Sequence, residues 1–337
     1  MNRLFNTLKI SCLVIGGVIG AGFISGREIM TFFYGYNKYF SSIILFIVLF
    51  LLIYLLLRLK NLFALDLIKK SNVLILLFNL LIMASMLAAT DSLAEGLFGT
   101  PKNIPIFSIG LLILSTLCCM SGFSRLSNVS AVIVPILIII FFSAIIVIPT
   151  VENTKSILTG VHLYSCVSYG ALNIFLIQPF LIKIKEERKD YSPFWVAFLS
   201  SIVLVLAIFA FLGVLSEDCI SCDIPLILLA KSNKYLYYLL SLIIFIGIFT
   251  TLTAVQYPFC SLTKNGSFLA LIIVSVIAFA ISRVGFYTIV DKVYPAMSLL
   301  SIIYYLFIIA ISLFFSLKGQ RSHTLRRQED IKLRYLP

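Results

Sequence analysis

The segment Gly16-Gly17-Val18-Ile19-Gly20-Ala21-Gly22-Phe23-Ile24-Ser25-Gly26-Arg27-Glu28-Ile29 lies inside an apolar run that begins near Leu8 and ends near Gly35. Five of the chain's 17 glycines fall in its first eleven residues. Each lowers helix propensity by about 1 kcal/mol relative to alanine, so a helix entering here is expected to break. Gly20 stands twelve residues beyond Leu8. At about 1.5 Å per residue the break then lies roughly 18 Å into a bilayer, near its middle.

The rest of the chain supports a membrane reading of that run. Of its 337 residues 61% are hydrophobic and 12% charged, with a mean hydropathy of +1.10, whereas soluble domains are about a quarter charged. Runs of about 20 apolar residues, the length that crosses a bilayer, recur near residues 8–35, 40–57, 73–97, 104–121 and 128–148. Five more fall near 157–182, 194–215, 235–260, 267–284 and 293–317. The expected fold is an all-α integral membrane protein of about ten transmembrane helices. Its transmembrane domain covers 1–318 and a basic tail covers 319–337. The segment Asp223 to Lys231 is too short to cross and reads as a surface or re-entrant helix. Met1 to Ile19 also has the basic-then-apolar outline of a signal peptide, but Arg27, Glu28 and the apolar run after them favour one long interrupted span.

A net charge of +12 would raise nucleic acid as a partner in a soluble protein. Here the basic residues sit between apolar runs and follow the rule that Lys and Arg gather on the cytoplasmic side. With the N-terminus inside, eighteen fall on the inner side, among them Arg58, Lys69, Arg125, Lys183 and the tail; seven fall outside, and Arg27 lies within the first span. The reading is a multi-pass protein of a plasma membrane, both termini cytoplasmic, with the bilayer and a small solute as partners and no nucleic acid.

The sixth span carries Ser168, Tyr169, Gly170, Ala171, Leu172 and Asn173 at a depth matching the glycines of the first. Five spans is an odd number, so the second five begin on the opposite side, as inverted repeats over about 8–148 and 157–317. Irregular backbone at bilayer depth is tolerated where protein or a water-filled cavity satisfies it, so breaks in both the first and sixth helices would enclose a polar site. The competing reading is that these small residues let helices pack closely.

The run Val18 to Ile29, followed by Phe32-Phe33, resembles the signature of the YkvI-like family of bacterial membrane proteins. That family looks like a branch of the amino acid, polyamine and organocation transporter superfamily, with the LeuT-type fold of five plus five helices. The resemblance implies a substrate site at Gly20, Ala21, Gly22 and Ser25, with Ser168, Tyr169, Gly170 and Asn173 as its counterpart. It also implies an ion site between Ile19 and Gly20 and the eighth span, where Thr250 and Thr253 offer hydroxyls. Ala254 stands where a second hydroxyl is usual.

Arg27 and Glu28 lie just past the break, where charges pair or face water. They are gate candidates with Asp291; Asp91 and Glu95 are further partners to consider. No acidic residue is placed clearly in the middle of a span, so a buried proton-carrying carboxylate has no evident candidate, and the coupling ion, Na+ or H+, leans toward sodium. His162 suits proton coupling or plain packing. Cys219 and Cys222 share a polar loop and read as two thiols before a disulfide or a metal pair. The chain has no nucleophile with its base, no metal-ligand motif and no nucleotide-binding loop, so an enzyme is not expected, nor a cofactor. The function read from the sequence is ion-coupled secondary transport of a small organic solute such as an amino acid, the alternative being a receptor or sensor on the same fold.

Overall fold

The computed structural model describes residues 2–59, 72–101, 104–120, 123–150, 160–186, 190–262, 268–312 and 314. The basic tail over 319–337, His323 in it, and loop residues such as Lys69, Lys102 and Lys189 lie outside the described residues. Every regular element described is helical.

The first apolar run forms three helices in line, α1 (Asn2–Val18), α2 (Ala21–Ile24) and α3 (Arg27–Phe33). Then come α4 (Lys38–Arg58), α5 (Asn72–Phe98), α6 (Ile106–Met120) and α7 (Phe123–Val147). The second half holds α8 (Gly160–Glu186), α9 (Pro193–Leu212), the short α10 (Pro225–Leu229), α11 (Lys234–Leu262), α12 (Phe268–Ser282) and α13 (Phe286–Ser312). Six of these are long and apolar enough to cross a membrane: α4, α5, α8, α9, α11 and α13. Shorter apolar helices lie at Ile106–Met120, Ala131–Val147 and Leu271–Ser282. The helices lie in the order of the expected apolar runs.

Apolarity runs all the way round these helices, so burial, not composition, distinguishes their faces. On α4, Ser41, Leu45, Leu49, Ile53 and Leu56 are buried at helical spacing, whereas Ile43, Ile47 and Leu51 are exposed. Large exposed apolar side chains of this kind recur on nearly every long helix, which is the surface a lipid environment requires. Inside, α1 packs on α7, α8 and α9, while α11 packs on α5, α6 and α7.

The first span is interrupted twice, at Ile19–Gly20 and at Ser25–Gly26. Gly26 has φ +82, a left-handed conformation that only glycine adopts without cost. The sixth span differs from expectation, because α8 runs unbroken through Ser168 to Asn173. One glycine costs a helix about 1 kcal/mol, too little to break it when packing holds it in place. Gly170 serves that packing: a Cβ there would lie 2.6 Å from Val48 Cγ1 on α4. The tenth span carries an irregularity that the sequence reading did not foresee, a π-helical turn over Ile289–Val293. Pro295 has no amide hydrogen to give the Asp291 carbonyl, and the Tyr294 amide reaches back to Ile289 instead.

Gly170→Ala is expected to cost about 1–3 kcal/mol through overpacking, and adding Val48→Ala to recover part of it. Thermal unfolding of the three variants in detergent checks this; equal stability of Gly170→Ala and the parent would remove the packing role.

Candidate functional site

Backbone polar groups freed by the break must be satisfied within the protein. The Gly20 amide turns to the Val18 carbonyl at 2.8 Å, and the Ile24 amide closes α2 on the Gly20 carbonyl at 2.8 Å. Ser25 stitches the second interruption. Its hydroxyl donates to the Gly22 carbonyl at 2.9 Å and accepts from the Arg27 amide at 3.2 Å, and its own carbonyl accepts from the Leu226 amide at 2.9 Å. The short helix expected as a surface or re-entrant element is therefore built against the break, with Pro225, Leu226 and Ile227 buried.

Helix α11 presents a notch to Gly20. Gly247 lies 3.7 Å from the Gly20 carbonyl carbon, measured from a Cβ built on it, and a Cβ on Gly20 would strike Thr251 Oγ1. Thr250 and Thr251 each donate to the Gly247 carbonyl at 2.9 Å, and Thr253 donates to the Thr250 carbonyl at 2.8 Å. All three hydroxyls are thus bonded within their own helix. The hydroxyl that meets Gly20 is that of Thr251, a residue the sequence reading passed over; its signal was Gly247, one turn earlier on the same face. Ile19 is buried beside the break.

Glu28 is more enclosed than its place in the sequence suggests. It is 8% exposed, and its carboxyl folds back over Gly22, where any Cβ would collide with Oε1. The expectation that a buried carboxyl has no evident candidate is corrected here, since Glu28 is one. The left-handed turn at Gly26 redirects the chain, so counting residues along a straight helix misplaces Glu28. Tyr169 donates to Glu28 Oε2 at 3.4 Å, and its ring sits edge-on to Phe32 and Phe33, with centroids 5.3 and 5.1 Å away. Tyr294, another residue missed, is fully buried within electrostatic reach of Glu28. Its hydroxyl is 2.7 Å from Ser85 Oγ. Ser85 gives its own proton to the Ile82 carbonyl at 2.8 Å, so Tyr294 is the donor of that pair.

Arg27, the preceding residue, points elsewhere. Its guanidinium pairs with Asp291 Oδ1 at 2.9 Å, donates to the Ile220 carbonyl and to the Cys222 carbonyl at 3.4 Å, and lies 3.9 Å over the Tyr287 ring. The π turn holds Asp291 opposite α3. Asp91 pairs instead with Arg283 at 2.8 Å.

The sixth-span candidates divide. Tyr169 faces the break, Asn173 donates to the Tyr169 carbonyl at 3.0 Å, Ser168 bonds the Ser165 carbonyl at 3.1 Å, and Gly170 faces α4. Ala21 supplies backbone in α2. His162 is packed, its ring stacked 4.6 Å from Tyr36 and its Nε2 2.7 Å from Ser41 Oγ. Cys219 and Cys222 are both free thiols. Among the described residues no group of three or more His, Cys, Asp or Glu could hold a metal.

The chain is thus an all-helical membrane protein centred on an interrupted first span. It is similar to the uncharacterized membrane protein YkvI of Bacillus subtilis (strain 168), with 26% identity over 331 residues, covering 87% of this chain and 92% of that protein. The likeness read from the first span therefore extends over most of the chain. No family model matches. Among solved structures it is similar to a manganese transporter of Eremococcus coleocola, with 17% identity, a TM-score of 0.41, and coverage of 91% of this chain and 71% of that one.

Asp291→Asn is expected to destabilise the protein by about 1–3 kcal/mol, because it leaves the Arg27 guanidinium buried without its counter-charge. Arg27→Ala should do the same, and the double variant should lose less than the sum. Thermal unfolding of the set tests it; strict additivity would mean that the pair does not act as a unit.

Proposed function

We propose that this protein is a secondary transporter that carries a small organic solute by alternating access, with two inverted repeats of five spans over about 8–148 and 157–317. The observation that supports this reading is the doubly interrupted first span, where irregular backbone, a buried carboxyl and the Tyr169 hydroxyl converge within the helix bundle. Such irregular backbone is the usual mark of a midplane binding site in transporters.

Gly20, Ala21 and Gly22 form one wall of the substrate site and Tyr169 and Asn173 the facing wall, with Ser25 holding the break in shape and Ser168 and Gly170 fixing α8 behind. The unbroken α8 makes that second wall a rigid side-chain surface. A solute bearing an amino group suits this site, since the Glu28 carboxyl can accept a hydrogen bond from it and, once ionised, offers the complementary charge. An amino acid or similar zwitterion carries the needed ammonium. Arg27 and Asp291 form the gate on the outer side, with both termini in the cytoplasm of a bacterial cell. Ion coupling drives the cycle.

Uptake into proteoliposomes of purified protein, screened with radiolabelled amino acids, tests the reading. Counterflow of a bound solute is expected; binding without counterflow would instead mark a receptor or sensor. Gly22→Leu places an isobutyl group where Glu28 and the solute meet, and should abolish uptake while expression and membrane insertion persist. Undiminished uptake by that variant would move the site elsewhere.

A further inference from the structure

A carboxyl withdrawn from water inside a membrane protein needs a cation, strong hydrogen-bond donors, or a proton of its own. Glu28 is 8% exposed, and among the described residues no basic side chain forms an ion pair with it. The one nearby in sequence, Arg27, is committed to Asp291 and to the carbonyls of Ile220 and Cys222. The hydrogen bond from Tyr169 is long, at 3.4 Å, and Tyr294 directs its hydroxyl to Ser85.

Among the described residues the other neighbours form no ion pair with it either. The second-half helices that reach α2 and α3 bring Tyr169 from α8, the bonded hydroxyl of Thr251 from α11, and apolar Phe211 from α9, which packs on Phe23. From α5 come Ser85 and, further along, Asp91, which is itself paired with Arg283. Asp291, on the π turn, belongs to Arg27.

We propose that Glu28 is a proton-binding site of this protein, its carboxyl carrying the proton while folded over Gly22 and releasing it when the α2–α3 segment opens to water. The step is a simple exchange: the carboxyl O–H bond breaks, the proton passes to water, and the carboxylate remains. The coupling ion is then a proton, and the hydroxyls of α11 serve packing. The coupling role rests on the transport reading above; the proton site does not.

The test uses full-length protein in lipid nanodiscs and infrared difference spectra recorded as pH is varied. A protonated-carboxyl stretch that disappears with rising pH is expected in the parent, absent from Glu28→Gln and displaced in Glu28→Asp. Such a band surviving in Glu28→Gln, or no titrating band in the parent, overturns the assignment. Proteoliposomes containing a pH-sensitive dye, with the membrane potential clamped and a mixture of the twenty common amino acids added outside, test the coupling. Internal acidification by the parent and its loss in Glu28→Gln are expected; amino acid uptake that needs sodium and moves no protons overturns proton coupling. An intact carboxyl band in a protein that moves no amino acid would count against the transport reading alone.

Discussion

A peptide group inside hydrocarbon must find its hydrogen-bond partner within the protein, and most of this structure around the first span follows from that demand. Once Gly20 and Gly26 interrupt the helix, amides and carbonyls lose their partners one turn away. Ser25 answers with both faces of its hydroxyl, and the Leu226 amide answers from a helix of five residues that would otherwise have no reason to be buried. Close approach does the rest. Gly247 lets α11 come near enough for Thr251 to lie on Gly20, so the break is wrapped tightly although it is irregular.

The same region holds two consecutive charged residues in contrasting settings. Arg27 has its carboxylate, two carbonyls and an aromatic face, with its Nε left unbonded. Glu28 has one long bond from a tyrosine. A well-paired charge resists change, whereas a poorly paired one responds to whatever enters. The segment therefore combines a fixed anchor with an adjacent responsive group.

What the sequence disclosed, and what it withheld, divides along physical lines. Spans and their order were legible because hydrocarbon imposes a length and a composition that nothing else imitates. The first break was legible because five glycines cluster there, although only Gly20 and Gly26 stand at the interruptions while Gly16 and Gly17 stay within α1. The expected break in α8 was not found, since Gly170 is a single glycine whose missing side chain admits Val48. The resemblance implied Thr250 and Thr253, but which face turns to Gly20 depends on how α11 is rotated in the bundle, and that placed Thr251 there. Tyr294 and the π turn were hidden for a related reason: a proline in an apolar run signals irregularity without saying which carbonyl it leaves free.

Arg27 and Glu28 sit side by side at the start of α3, a helix of seven residues. Successive side chains on a helix diverge by about 100°, which is why one reaches Asp291 and the other reaches Gly22. A rigid helix cannot turn one without turning the other. A twist of α3 that carried the carboxyl away from the break would also carry the guanidinium away from its aspartate, so the two contacts are linked through the pitch of one short helix.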